Sequence, residues 1–170
     1  MIRLLLRLPE AGVAGTWPTE RACRNRLIAT RWPDGVRCPK CENAIVGFLK
    51  TRQNFYCKSC LLQFSAQSHS IFHRSHVNLL SWFRAAELLI RYNAHHPDLN
   101  YPTGHDLRDV LGISYAAAHA LKRKSLSELL QPDGGLLGRC VAVGSAVSAP
   151  SNVPVGSSEE LLWFYHRIAN

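Results

Sequence analysis

The sequence predicts an α+β fold: an N-terminal helix, a small sheet, a helical region and a flexible C-terminal tail. Three observations predict it. Two Cys-x-x-Cys pairs flank short β-prone segments, apolar residues recur at helical spacing over 79–90, and 13 of the 27 residues in 132–158 are Gly, Pro or Ser. At 170 residues the chain has room for one ordinary domain or two small ones. The predicted boundaries fall at 16–75, 76–130 and 131–170.

Thr19 is placed to cap a helix running to about Ala29, with Glu20 in its first turn and Cys23, Leu27 and Ile28 toward one face. Trp32-Pro33-Asp34-Gly35 then turns the chain into Cys38-Pro39-Lys40-Cys41. The second pair, Cys57-Lys58-Ser59-Cys60, follows after 15 residues, a spacing that reads as a zinc site. Two residues between thiols let a tight turn aim both sulfurs at one ion. The intervening hairpin brings the second turn alongside and completes a tetrahedral S4 shell. Segments 44–49, 54–56 and 61–64 are the predicted strands, and 50–53 is the predicted polar turn. This is a zinc ribbon holding one structural Zn2+ on Cys38, Cys41, Cys57 and Cys60, since a closed S4 shell leaves no position for substrate. Arg37, Lys40 and Lys58 offset the negative charge of the thiolates, while Cys23 and Cys140 fall outside the pattern as buried or free thiols.

Asn78 caps a predicted helix to about Tyr92, with Leu79, Trp82, Phe83, Ala86, Leu89 and Ile90 as its core stripe and Glu87–Arg91 as a solvated i,i+4 pair. Pro97 and Pro102 break the chain into a loop over 93–102. Thr103-Gly104-His105-Asp106 has the form of a capping box, Leu107, Val110 and Leu111 give the next helix its apolar face, and Gly112 stops it. Ser114 then caps a helix to about Leu130, carrying Ala118, Leu121 and Ser125 on one side. Helix, glycine turn and capped helix make a helix-turn-helix pattern. Lys122, Arg123 and Lys124 suit phosphates, and Tyr115, Ala116 and His119 at the helix start suit base edges.

Charge agrees with a polyanionic partner. Residues 1–130 hold 18 of the 20 Lys and Arg against 9 of the 12 Asp and Glu, so the first three quarters of the chain carry +9 and the remainder −1. No apolar run approaches the roughly 18 residues that a membrane helix needs, and the N-terminal Leu4-Leu5-Leu6 is interrupted by Arg7. A cytoplasmic protein with no membrane partner is expected.

Pro18-Thr19-Glu20, Arg31-Trp32-Pro33-Asp34-Gly35-Val36-Arg37-Cys38, Tyr56-Cys57-Lys58-Ser59-Cys60, Gln63-Phe64-Ser65, Ile71-Phe72-His73-Arg74-Ser75, Trp82-Phe83 and Leu111-Gly112-Ile113-Ser114-Tyr115 stand in one order. Together they resemble the N-terminal region of bacterial zinc-ribbon insertion-sequence transposases, over roughly residues 16–128. The resemblance implies binding to the terminal inverted repeats of a mobile element. The chain departs from that family in the connector, where Gln67-Ser68-His69-Ser70 replaces a usual glycine, and in the inserted loop at 93–102.

A larger departure concerns catalysis. Gly138–Ser145 could mimic the first strand of the family's ribonuclease-H-like domain, but no carboxylate stands where its first metal-binding Asp belongs. Glu87, Asp98, Asp106, Asp109 and Glu128 are scattered, whereas two-metal phosphoryl transfer needs convergent carboxylates. His73 and His76 at i,i+3, and His95-His96, are surface or DNA-facing rather than catalytic. The composition change after residue 130 is that of a truncated or frameshifted transposase, ending in a short amphipathic helix near 159–165. The expected function is DNA binding without transposition chemistry, with duplex DNA and an intact transposase as partners. The alternative is a zinc-ribbon adaptor that contacts proteins through its hairpin and C-terminal aromatic segment.

Overall fold

A computed structural model describes residues 1–96, 100–145 and 147–169. Pro97, expected to break the preceding helix, and Asp98, one of the scattered acids, lie outside the described residues.

Helix α4, Leu79–His95, organises the interior. It buries Leu79, Trp82, Phe83, Ala85, Ala86, Leu89 and Ile90. A helix apolar around so much of its circumference must be covered on several sides. It is flanked by α1 (Ile2–Leu5), α2 (Gly12–Thr16), α3 (Glu20–Arg31), α5 (Gly104–Leu111), α6 (Tyr115–Leu129) and α7 (Gly135–Val141). Its start is fixed twice, because Ser81 N–H donates to Asn78 Oδ1 at 2.7 Å and Leu80 N–H donates to Glu20 Oε2 at 3.1 Å. Glu20, in the first turn of α3, thus also serves the first turn of α4.

The sheet has the order β1-β2-β3 and is antiparallel throughout, with β1 Val46–Leu49, β2 Asn54–Cys57 and β3 Gln63–Phe64. In register, Phe48 faces Phe55 and Phe55 faces Phe64. The Trp32 ring, just past α3, meets Phe55 at 6.0 Å and Phe64 at 6.2 Å edge-on, so one aromatic row ties the sheet to the helix. Gly47 stands opposite Tyr56, whose ring would lie 2.2 Å from any Cβ placed there.

Beyond the sheet, Phe72 packs edge-on to Trp82 at 5.2 Å and Trp82 Nε1–H donates to Ser75 Oγ at 3.0 Å. The connector is thereby anchored on α4. The capping box before α5 forms as the sequence predicts: Asp106 N–H donates to Thr103 Oγ1 at 3.3 Å and Thr103 N–H to Asp106 Oδ2 at 2.8 Å. Gly112 takes the left-handed conformation at φ 65°, and Ser114 Oγ accepts from Ala117 N–H at 3.3 Å to start α6.

Four expectations need correction. Leu61 does not join β3: it has φ 59° and its N–H returns to Cys57 O at 3.0 Å, closing the second knuckle. Glu87 is more than half of a solvated pair, since Oε2 accepts Val13 N–H at 3.0 Å at the start of α2 while Oε1 accepts from Arg91. Gly138–Ser145 forms no strand, because residues through Val141 belong to α7. The stretch after residue 130 is not wholly a loose tail: a 3-10 turn at Pro132–Gly134 leads into α7, whose Leu137, Cys140 and Val141 are buried. Long-range contacts hold it there. Leu4 fills the space that a side chain on Gly134 or Gly138 would need, and Arg26 donates from Nε to Cys140 O at 2.9 Å and from Nη2 to Arg139 O at 3.1 Å at the end of α7. Residues 142–157 then carry no described helix or strand before α8, Ser158–Ala169, whose Phe164 is buried and whose Glu160 pairs with Arg3.

Packing of α7 yields the first prediction. Leu137→Ala should destabilise the fold by about 2–5 kcal/mol, read as a lower midpoint in denaturant. An unchanged midpoint would mean that this segment does not belong to the core.

Candidate metal centre and nucleic-acid surface

The two knuckles are built alike. In the first, Glu42 N–H donates to Cys38 O at 2.9 Å with Glu42 at φ 57°; in the second, Leu61 N–H donates to Cys57 O with Leu61 at φ 59°. Each turn also aims backbone donors at its leading sulfur, Lys40 N–H at Cys38 Sγ (3.4 Å) and Cys60 N–H at Cys57 Sγ (3.5 Å). The hairpin then superposes the turns. Cys38 Sγ lies 3.5 Å from Cys60 Sγ, Cys41 Sγ lies 3.5 Å from Cys57 Sγ, and all four sulfurs fall within 4.8 Å of one another.

Those separations fit zinc. A tetrahedral shell at the usual Zn–S length of about 2.3 Å sets its sulfurs about 3.8 Å apart. The cluster's charge also calls for a cation. The Cys60 N–H, then that of Ser59, pulls Cys57 down to about 6 against the opposing effect of burial. Cys38 is lowered too: burial opposes ionisation, but the Lys40 and Cys41 N–H groups and the neighbouring thiols outweigh it. Cys41, although exposed, is pushed up to about 12; the Asn43 N–H favours its thiolate, but partial desolvation and the three adjacent sulfurs prevail. Four thiolates so close cannot all ionise without a positive centre, and a divalent ion supplies it. The site therefore holds one structural Zn2+, which cross-links the two turns. Among the described residues no other group of three or more His, Cys, Asp or Glu side chains converges in this way, His73 and His76 included. Cys23 and Cys140 stay outside the cluster as buried thiols, each pushed up to about 12, chiefly by burial.

The predicted nucleic-acid residues sit on α6. Tyr115, Ala116 and His119 are exposed at its N-terminal half, Arg123 and Lys124 are exposed further along, and Lys122 is half-buried with its Nζ donating to Asn100 O at 2.6 Å. Sequence reasoning missed the support beneath Tyr115. The His105 ring stacks on it at 4.4 Å, and Gly104 permits the approach, since a Cβ there would lie 3.1 Å from Tyr115 Cε2. It also missed two hollows that meet at Arg123. One, of about 480 Å³, lies between α6 and the connector and is lined by Ser70, Ile71, His73 and Lys124 among others. The other, of about 330 Å³, lies between α6 and the start of α5 and is lined by Thr103, Gly104, His119 and Lys122 among others.

Asp106 and Asp109, the acids that share a helical turn, are engaged elsewhere. The Thr103 hydroxyl and N–H hold the Asp106 carboxyl below its usual range, and Arg108 Nε does the same for Asp109 from 2.6 Å.

Knuckle, hairpin and knuckle around a closed tetrathiolate define a zinc-ribbon protein. Residues 18–63 match the transposase zinc-ribbon domain family. Over 81 residues the chain is 37% identical to a Halobacterium salinarum protein described as an uncharacterized protein in transposable element ISH50. That match covers 46% of this chain and 28% of the relative, so it spans under a third of that protein's length. No solved structure matches. The chain is thus a transposase-related, zinc-binding protein. No helix among the described residues is long and apolar enough to cross a membrane.

A metal-content measurement checks the centre. The wild-type chain should carry one zinc, and the double variant Cys57→Ser, Cys60→Ser should carry none while the helical circular-dichroism signal of α4 and α6 largely persists. Full zinc occupancy in that variant would place the metal elsewhere.

Proposed function

We propose that this protein is a DNA-binding module of a mobile element, cytoplasmic in location, that holds duplex DNA at the element's terminal repeats without itself cutting or joining strands. The observation that carries the proposal is the outer face of α6. Tyr115, Ala116 and His119 stand exposed at the start of a helix that a capped glycine turn fixes against α5, and exposed Arg123 and Lys124 follow on the same helix. In a helix-turn-helix arrangement the first residues of the second helix meet base edges and later cations meet phosphates. The transposase-type ribbon supports DNA as the polyanion in question. Binding rather than cleavage is assigned to these residues because Asp106 is committed to its cap and Asp109 to Arg108. An intact transposase that recognises the same repeats would be a competitor for them. For the adaptor alternative, Phe164 of the C-terminal aromatic segment is buried within its own fold, which leaves Phe48 of the hairpin and Tyr165 as its exposed aromatic contacts.

Salt dependence tests the proposal. Replacing Lys122, Arg123 and Lys124 together by Ala should flatten the slope of log affinity against log salt by about two to three units, at roughly 0.9 per phosphate contact. Tyr115→Ala and His119→Ala should instead narrow the difference in affinity between preferred and unrelated duplexes. An unchanged slope in the triple variant would remove α6 from the interface.

A further inference from the structure

His73 and the serine-rich connector remain without a role in the α6 contacts. Their position gives them one. The connector passes from β3 to α4 along the flank of α6, and the hollow of about 480 Å³ lies between the two. Its cationic wall is Arg123 and Lys124, both exposed and neither in an ion pair among the described residues. His73, exposed on the connector, forms the opposite wall with Ser70.

One acid, Glu128, also lines the hollow; one of its oxygens accepts the Leu136 N–H at 2.6 Å and the other accepts from Gln131 Nε2 at 3.4 Å, and Arg123 and Lys124 together leave the wall with a net positive charge. Ser70 donates its hydroxyl proton to Gln67 O at 2.7 Å and accepts from Phe72 N–H at 3.3 Å, so it has no donor left for an anion and shapes the wall rather than binding. The His73 ring lies nearly parallel to that of His69, with centroids 5.7 Å apart.

We infer that this hollow seats a phosphate of the DNA backbone, held jointly by Arg123 and Lys124 from α6 and by His73 from the connector. The inference rests on the DNA-binding role proposed above and extends it from one helix to the connector that leaves the ribbon. An extended backbone suits the surface better than a small free anion, because Arg123 also lines the second hollow, beside Thr103, Gly104 and Lys122 at the start of α5. The two hollows form one path along α6. A strand lying in it touches the start of α5, the face of α6 and the connector together.

The test uses the full zinc-loaded chain and one fixed duplex of mixed sequence, since a phosphate contact does not depend on base identity. His73→Lys should retain or tighten binding and steepen the salt slope by up to about 0.9 units, and His73→Glu should weaken binding about tenfold or more. In the background Arg123→Ala, Lys124→Ala the His73→Glu loss should shrink to about threefold or less, because the phosphate that the three side chains share is no longer held there. Equal His73→Glu losses in both backgrounds would show that His73 acts at a distance and would overturn the shared seat. Binding by the wild type that neither His73 variant changes would overturn it as well, while leaving the role of α6 intact. Absence of any DNA binding by the wild type would reject both.

Discussion

The ribbon depends on a problem of charge. Four thiols within 4.8 Å of one another cannot all ionise together: Cys57 is drawn down to about 6, first by the Cys60 N–H, while its neighbour Cys41 is driven up to about 12. A divalent ion removes the conflict and converts two separate turns into one closed knot. The three strands around it are too short to be stable by pairing alone, at four, four and two residues. Metal affinity is therefore folding energy for this part of the chain.

The order imposed there is passed on through α3. Trp32 rests on Phe55 and Phe64, and Arg31, lying over the Trp32 ring at 4.4 Å, donates from Nη1 to Ser68 O at 2.9 Å. One pair of adjacent residues thus grips both the sheet and the start of the connector. Phe72 and Ser75 then secure the connector to Trp82 of α4. Since α4 also packs against α6, the zinc knot, the connector and the exposed face of α6 are held in one frame by side chains that never touch the metal.

Local signals made much of this visible in the sequence. Thr19, Asn78, Thr103 and Ser114 each accept a backbone N–H at the start of a helix, a contact that depends on residues only three positions away. The cysteine spacing was equally local, because knuckle geometry leaves little choice of partner. What escaped was long-range. Glycine-rich composition around 134–138 reads as a loose segment, yet those glycines are small because Leu4 and the Glu128 carboxylate press against them. The four-residue α1 is too short to announce itself and persists through Leu4 and the carbonyl of Arg7, which accepts Val143 N–H. The wall that Ser70 and His73 present to Arg123 likewise required the fold, since about fifty residues separate the two sides.

The central claim is that zinc orders the ribbon and, through Trp32 and Arg31, the connector beside α6. Hydrogen exchange on the metal-free chain, before and after one equivalent of zinc, tests it most directly. Zinc should confer protection on amides across the knuckles, the hairpin and residues 65–72, while the amides of α4 change little. Protection of the hairpin and connector that is already complete without metal would contradict the account.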